Sequence, residues 1–350
     1  VNFYRAMQNR EPTAIAQAVA LTFMGTRVNQ WPAERLTNTA VFFSPISFKA
    51  TSEWKEEIVY LDPMKSLPGK ATLPDGTVVT LTPGVDARRV FVDWLVAPNN
   101  PWYSRAIVNR IWYWLLGRGI VHEPDDLRAN NPPANAELLA YLEKELVSSD
   151  WDLRHIYRLI LNSQIYQLSS LPRSRNVPAA INFSSYPLRR LDAEVLIDII
   201  CQVTGTTERY VSAVPEPFTY IPEDMHTICL SDGNSSSSFL ELFGRPARET
   251  GLVSERNNTI NAGQHLHLLN STHIHNKIAH GPALAKLASD NKRPPEIVKA
   301  LYLTILSRYP TESEIQAITT YRDTSGLNGR DLLTDLAWAM INSEEFLNRH

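Results

Sequence analysis

The segment Trp102–Leu116 constrains the fold of this 350-residue chain most strongly, because its residues are apolar on almost every side when placed on a helix. A helix without a polar face is buried by neighbouring elements on most of its sides. Prolines 98 and 101 precede the segment, and Gly117 and Gly119 follow it, which gives the helix a defined start and end. The rest of the chain therefore has to supply the elements that surround it.

Amphipathic segments that can surround this helix recur along the chain. Asn135 and Asp152 are suited to cap two of them, and Thr311 with Glu314 forms a capping-box pattern at the start of another. The apolar spacing predicts helices over 3–24, 87–96, 136–148, 153–165, 193–204, 239–243, 259–269, 272–279, 295–307, 312–323, 330–341 and 343–348. We therefore predict a mainly α fold, arranged as a multi-helix orthogonal bundle.

Residues 39–83 have a different character, because five prolines interrupt them and β-branched residues cluster there. The pair Asp75-Gly76 lies between two extended arms, which predicts a small β-hairpin near residues 70–82 as an appendage of the bundle. A connection rich in Ser, Pro and Asn at 168–187 is the best internal boundary, and 205–238 is a long loop. These features divide the chain into residues 1–85, a first helical half over 86–170 and a second helical half over 188–350.

Charge and hydropathy argue against two classes of partner. Thirty-four basic and 37 acidic residues leave a formal charge of −3, so there is no overall positive field to attract nucleic acid. The uncharged stretch Pro12–Thr26 is shorter than the roughly 20 apolar residues of a spanning helix. We expect no nucleic-acid partner and no direct membrane insertion.

The cysteines argue against two kinds of cofactor site. Cys201 and Cys229 are the two cysteines of the chain and form no C-x-x-C pair, which excludes a thiolate zinc site and a C-x-x-C-H haem attachment. Cys201 lies in an apolar run and is expected in the core, while a disulfide between the two stays open. Because the chain begins at Val1 without a leader pattern, we expect a processed chain or a fragment.

The loop over residues 117–133, here called the polar loop, is the first candidate for chemistry. Its histidine and carboxylates could act as acid and base or hold a divalent cation. A structural role is the favoured reading, because the acids can satisfy buried helix ends and neutralise an arginine within the apolar helix. The candidate catalytic residues are His122, Asp125 and Asp126, and the candidate network residues here are Arg110 and Arg128.

A second candidate is a run of arginines that begins after Phe243. Arg245, Arg248 and Arg256 lie close to the expected helix start at Thr259, an arrangement suited to a carboxylate, sulfate or phosphate. The favoured alternative is that these arginines pair with carboxylates of the chain itself. The candidate partners are Glu249, Glu255 and the acids of the polar loop.

Histidines form the third candidate, since five of the nine lie within 16 residues. On a helix, positions two apart point in different directions, so neither His265 with His267 nor His273 with His275 shares a face. We therefore expect no metal site. His267 is a candidate residue of the binding and hydrogen-bond network. The tryptophans near residues 102–114 are expected in the core, and the chain contains no P-loop, dinucleotide-binding, nucleophile-elbow or zincin motif.

Motifs spread over most of the chain resemble domain of unknown function 1553, a family found in planctomycete-type exported proteins. They are Ala106–Trp112, Gly117–Val121, Asp125–Arg128, Asn131–Pro133, Asp152–Ile156, Ser163–Ser170, Arg189–Leu191, Ala193–Leu196, Phe243–Pro246, Glu255–Arg256 and His267–Asn270. Residues 1–60 resemble the end of its companion, domain of unknown function 1549. The resemblance implies an exported, multidomain protein, often joined to planctomycete cytochrome C domains or carbohydrate-binding modules, and implies no reaction.

Two departures from the family pattern bear on cofactors. Relatives commonly carry a C-x-x-C-H segment after the equivalent of Phe23–Arg27 and a C-x-C pair before Glu255, and both are absent from this sequence. We therefore expect no cofactor and no metal.

The expected function is that of an exported helical structural and binding module in a larger cell-surface or periplasmic assembly, with other subunits or domains as partners. In this reading, the acids of the polar loop and the arginines after Phe243 form one buried network that joins the two helical halves. Polysaccharide is a further candidate partner. The alternatives are a hydrolase acting on extracellular, sulfated polysaccharide and an accessory partner of a c-type cytochrome.

Overall fold

The computed structural model describes residues 2–5, 9–51, 57–171, 182–212, 220–230, 235–245, 256–257, 259–289 and 293–349. Over these ranges the fold is mainly α, with small two-stranded antiparallel sheets, which confirms the predicted fold class. The chain divides into two compact units, unit 1 over Val1–Pro187 and unit 2 over Leu188–His350.

Helices make up most of unit 1. In chain order they are α1 (Asn2–Arg5), α2 (Pro12–Met24), α3 (Ala33–Ala40), α4 (Ala87–Leu95), α5 (Pro101–Leu116), α6 (Ala136–Ser148) and α7 (Leu153–Leu161). The apolar helix α5 begins where the Asn100 side chain accepts a hydrogen bond from the backbone N–H of Trp102, and it ends at Gly117 with φ 74°. Helices α2, α6 and α7 pack against it.

Helix α5 is buried along most of its length, as its composition predicts. Val108 and Trp112 are among its fully buried side chains and pack with residues of α6 and α7. Trp114 was expected in the core and is not, because 43% of it is exposed. The burial of α5 places its two central polar residues, Asn109 and Arg110, inside unit 1.

Two antiparallel hairpins lie between α3 and α4. Strands β1 (Ile46–Ala50) and β2 (Glu57–Leu61) form the first, and β3 (Lys70–Thr72) and β4 (Val78–Thr80) form the predicted second one. The second hairpin is fastened to the helices, since Asp75 accepts a 2.8 Å hydrogen bond from the Trp94 indole. Its side chains Ala71, Leu73 and Leu81 belong to the same core as Phe42 and Phe91.

Unit 2 is built around a central apolar helix. Its helices are α8 (Ala193–Thr204), α9 (Ser238–Leu242), α10 (Ala262–Asn270), α11 (Thr272–His280), α12 (Pro282–Ser289), α13 (Pro294–Leu306), α14 (Glu312–Ser325), α15 (Gly329–Ile341) and α16 (Glu344–Leu347). Leu196 and Ile200 of α8 are fully buried in the core that they share with Leu301, Ala337 and Ile341. Short strands β5 (Arg189–Arg190) and β8 (Asn348–Arg349) pair the start of the unit with its end.

Some elements differ from the sequence prediction. The helix expected over 3–24 is two helices, and α2 starts at Pro12 after Glu11. Helices α3 and α12 and the first hairpin were not predicted. In the described part of the 205–238 loop, β6 (Val211–Ser212) pairs with β7 (Ser235–Ser236). The same loop contains a 3-10 turn at Thr227–Cys229, whose first two backbone N–H groups donate to Asp198.

Candidate functional site

The polar loop is held to α5 by a buried asparagine. Asn109 is fully buried, and its side-chain amide forms hydrogen bonds with the backbone of Val121. Its Nδ2 donates to the Val121 carbonyl at 3.0 Å, and its Oδ1 accepts from the Val121 N–H at 2.9 Å. Because the backbone N–H and C=O of the buried residue Val121 are both satisfied, the start of the loop is fixed against the helix.

Gly119 allows this close approach. A Cβ atom at this position would lie 2.2 Å from the Val121 carbonyl oxygen and 3.1 Å from Asn109 Nδ2. No side chain fits at those distances without movement of the backbone. Gly119 of the Gly117–Val121 motif therefore has a packing role in the structure.

Arg110 connects the polar loop to the end of α2. Its Nε and Nη2 atoms each lie 2.8 Å from Asp125 Oδ1. Nη2 also donates to the Leu21 carbonyl at 2.8 Å, and Nη1 donates to the Thr22 carbonyl. A cation at the last turn of a helix interacts favourably with the helix dipole. Arg110 thus caps α2 while Asp125 neutralises its charge.

The second acid of the loop is also paired. Asp126 forms an ion pair with Arg128. Asn131 donates to the backbone carbonyls of His122 and Asp126 at 2.6 and 2.9 Å, and the Leu127 N–H donates to the Gly25 carbonyl at 2.8 Å. These bonds fold the loop back on itself and attach it to the residue that follows α2.

The three candidate catalytic residues have different environments. Asp125 and Asp126 are only 2% and 7% exposed, and within the described chain Oδ2 of Asp125 and Oδ1 of Asp126 accept no hydrogen bond. The His122 side chain is 46% exposed and lies 3.9 Å from Glu123 Oε1. The acids are thus buried beside arginines, while the histidine points its ring toward a different carboxylate.

In unit 2, the arginines after Phe243 meet an acid that sequence reasoning missed. Arg256 donates to both oxygens of Glu194 at 2.9 and 2.7 Å, and Arg245 Nε lies 3.5 Å from Glu194 Oε1. Burial raises the pKa of Glu194, but the hydrogen bonds from Arg256 and the charges of both arginines outweigh it, so its pKa lies below the usual value.

The signal for this acid was present in the sequence. Glu194 is the second residue of α8 and is only 3% exposed. Its neighbours Ala193 and Leu196 belong to the core. A carboxylate on the apolar face of a helix requires a cation. The other predicted members of this group, Arg248, Glu249 and Glu255, lie outside the described residues, as does any pairing among them.

The histidine region contains a chain of polar contacts across two helices. His267 Nε2 of α10 lies 3.3 Å from His273 Nδ1 of α11, and His273 Nε2 lies 2.6 Å from Glu208 Oε1. Lys277 Nζ is 2.7 Å from the same Glu208 oxygen. Side-chain spacing within a single helix could not predict this pair, because the two rings belong to consecutive helices. Across the described residues, no three His, Cys, Asp or Glu side chains form a metal-binding group.

Burial and charge shift the pKa values of His267, Glu208 and Cys201 in this region. Burial and the neighbouring His273 lower the pKa of His267. Burial raises the pKa of Glu208, but hydrogen bonds and charges from His273 and Lys277 bring it below its usual value. Burial raises the pKa of the Cys201 thiol, an effect that Lys277 partly offsets.

A surface pocket of about 360 Å³ lies in unit 1 between the start of α5 and α6. Asn99, Glu143, Lys144 and Val147 are among the residues that line it. None of the candidate catalytic or network residues lines this pocket. Among the residues that the structure describes, no helix is long and apolar enough to cross a membrane.

Comparison with known proteins places the chain in a family of unknown function. The family model PSD1, described as a protein of unknown function (DUF1553), matches residues 87–322. No curated protein and no solved structure matches the chain. The matched range contains the polar loop, Glu194 and the histidine cluster.

Proposed function

Since the chain belongs to the DUF1553 family, whose function is unknown, we propose that it is an exported helical structural and binding module of a larger cell-surface or periplasmic assembly. Its partners in this proposal are other protein subunits or domains of the same assembly. Polysaccharide is a second class of ligand that such an assembly could present to it.

One observation carries the structural part of this proposal. The acids that the sequence offers for catalysis are buried and paired with arginines of the chain, and one of those arginines also caps α2. A general base has to reach a substrate proton, directly or through one water. Carboxylates enclosed in this way favour a role in holding the loop in place over a role in turnover.

The exported location is supported by the family resemblance of the motifs. A module that forms part of an assembly is expected to co-purify with constant partners and to reside outside the cytoplasm. Fractionation of the native source, followed by cross-linking and mass spectrometry of the captured complexes, tests both parts. We expect the chain in the periplasmic or surface fraction, cross-linked to the same few proteins in independent preparations.

Two results would contradict the proposal. The first is a chain found monomeric in the cytoplasmic fraction, without reproducible cross-links. The second is turnover of a sulfated polysaccharide by the purified protein that is abolished in an Asp126→Asn variant with an unchanged melting temperature. The exposed Glu123→Gln variant is the matched control for that measurement, because Glu123 lies in the same loop and is 62% exposed in its side chain.

A further inference from the structure

A lysine and a cysteine from different helices meet inside unit 2. Lys277 Nζ of α11 lies 3.4 Å from Cys201 Sγ of α8. Lys277 is 7% exposed, while Cys201 is partly buried and is a free thiol. An amine and a thiol held side by side in this way can react with each other once the sulfur is oxidised.

The surroundings of Lys277 hold its amine in place and offer a proton acceptor. Nζ donates to the Thr207 carbonyl at 2.9 Å and to Thr206 Oγ1 at 3.2 Å. It also lies 2.7 Å from Glu208 Oε1. The carboxylate can take the proton that the ammonium group has to lose before its nitrogen acts as a nucleophile.

We propose that Cys201 and Lys277 form an oxidative modification site, in which hydrogen peroxide joins Sγ and Nζ through a covalent S–N bond. In the first step, Cys201 Sγ attacks one peroxide oxygen and the O–O bond breaks. The thiol becomes a sulfenic acid, and one water is released. In the second step, Nζ passes a proton to Glu208 and attacks Sγ, the S–O bond breaks, and a second water leaves. In total, one thiol, one ammonium group and one peroxide give the S–N bond, two waters and one proton. The sulfur is oxidised by two electrons and the peroxide is reduced.

The bond would connect the central helix of unit 2 to α11 across 75 intervening residues. A covalent link between distant positions restricts the unfolded chain and raises stability. The reaction is expected to be slow, because burial limits the access of peroxide to Cys201. The exposed Cys229 should therefore be oxidised first.

Peptide mass spectrometry of the folded full chain after treatment with hydrogen peroxide tests the proposal. We expect a cross-linked pair of peptides that contain Cys201 and Lys277, two hydrogens lighter than their sum and separated by dithiothreitol. Cys229 supplies the internal control, and a Cys229→Ser variant should cross-link as the parent does. Lys277→Arg, which keeps the charge but lacks a nucleophilic amine, and Cys201→Ser should form no such pair.

Several outcomes would overturn the proposal. Cys201 found as sulfinic or sulfonic acid without a cross-link would do so, as would an unmodified Cys201 after complete oxidation of Cys229. A bridge that retains an oxygen atom would overturn the S–N assignment. Peroxide treatment of the denatured chain is the control for proximity. Equal cross-linking in the folded and denatured chains would show that the fold does not bring Cys201 and Lys277 together for the reaction. The wild-type measurements do not depend on whether a variant folds.

Discussion

Arg110 lies inside the buried helix α5 of unit 1, where an unpaired charge would cost several kcal/mol. Three groups satisfy its guanidinium: one carboxylate and two carbonyls at the end of α2. The need for an acid followed from the sequence, because a charge in an apolar helix requires one and two aspartates were nearby. The two carbonyl acceptors could not be predicted, since nothing in the sequence placed the end of α2 against α5.

At the residue scale, Asp125→Asn should strongly destabilise unit 1. The substitution keeps the shape of the side chain but leaves the buried Arg110 charge unpaired, so we expect the free energy of unfolding to fall by about 3–5 kcal/mol. Urea denaturation followed by tryptophan fluorescence measures this. Glu123→Gln is the control, with an expected change below about 0.5 kcal/mol. Equal stability of Asp125→Asn and the parent would show that the pair is not structural.

Gly119 leads to a second prediction at the same scale. Gly119→Ala places a Cβ atom against the Val121 carbonyl and should lower the free energy of unfolding by about 1–3 kcal/mol. Gly69→Ala is a matched control, because a Cβ atom there has no neighbour within 4 Å. Thermal unfolding of the two variants measures the difference, and similar melting temperatures would refute the packing role of Gly119.

At the scale of elements, helices with clear ends were predictable from sequence. Helix α6 covers the predicted range because Asn135 caps it, and α8 does so because Gly205 ends it in the left-handed region. Helix α12 was missed because Gly281-Pro282 is a breaking pattern. In the structure, a Cβ at Gly281 would lie 2.4 Å from the Thr204 carbonyl, so that glycine permits close packing between helices. Such a contact depends on tertiary structure and leaves no local signal.

The pairing of α10 with α11 through two histidines predicts a pH dependence. Because the folded state lowers the pKa of His267, the unfolded chain binds its proton at a higher pH than the folded chain does. The free energy of unfolding should therefore fall as the pH drops below about 6.5, until His267 is protonated in the folded state as well. Denaturation at pH 7.5 and 5.5 measures this change.

His267→Gln should reduce that dependence, since the titrating group is gone. His122→Gln, which alters an exposed ring, should leave it unchanged. A His267→Gln variant with the same loss of stability between the two pH values as the parent would assign the effect to other groups.

At the scale of the whole molecule, the ion pairs of the candidate site described above each lie within one unit. Asp125 and Asp126 pair with arginines of unit 1, and Glu194 pairs with arginines of unit 2. The candidate site was predictable where charge balance applied within a short segment, as for Arg110. It was not predictable for Glu194, whose arginines follow more than 50 residues later in the chain. The single network joining both halves stays a prediction from sequence.

Arg245→Ala should lower the free energy of unfolding of unit 2 by about 2–4 kcal/mol, because Glu194 and Arg245 are both buried. Arg293→Ala is the control, since that side chain is 84% exposed. A double-mutant cycle of Arg245→Ala with Asp126→Asn tests the single network. The network requires a coupling energy of about 0.5 kcal/mol or more, and additive effects would contradict it.

The contact of Arg110 with Leu21 and Thr22 crosses the edge of the recognised family, whose match begins at residue 87. If gene shuffling replaced the residues before the matched range, the new segment would have to place carbonyl groups beside Arg110. Otherwise Arg110 would lose its two carbonyl acceptors. Lineages should therefore inherit α2 together with the aspartate-bearing loop. A gene truncated at the family's edge would encode a protein in which Arg110 keeps Asp125 but lacks its two carbonyl acceptors.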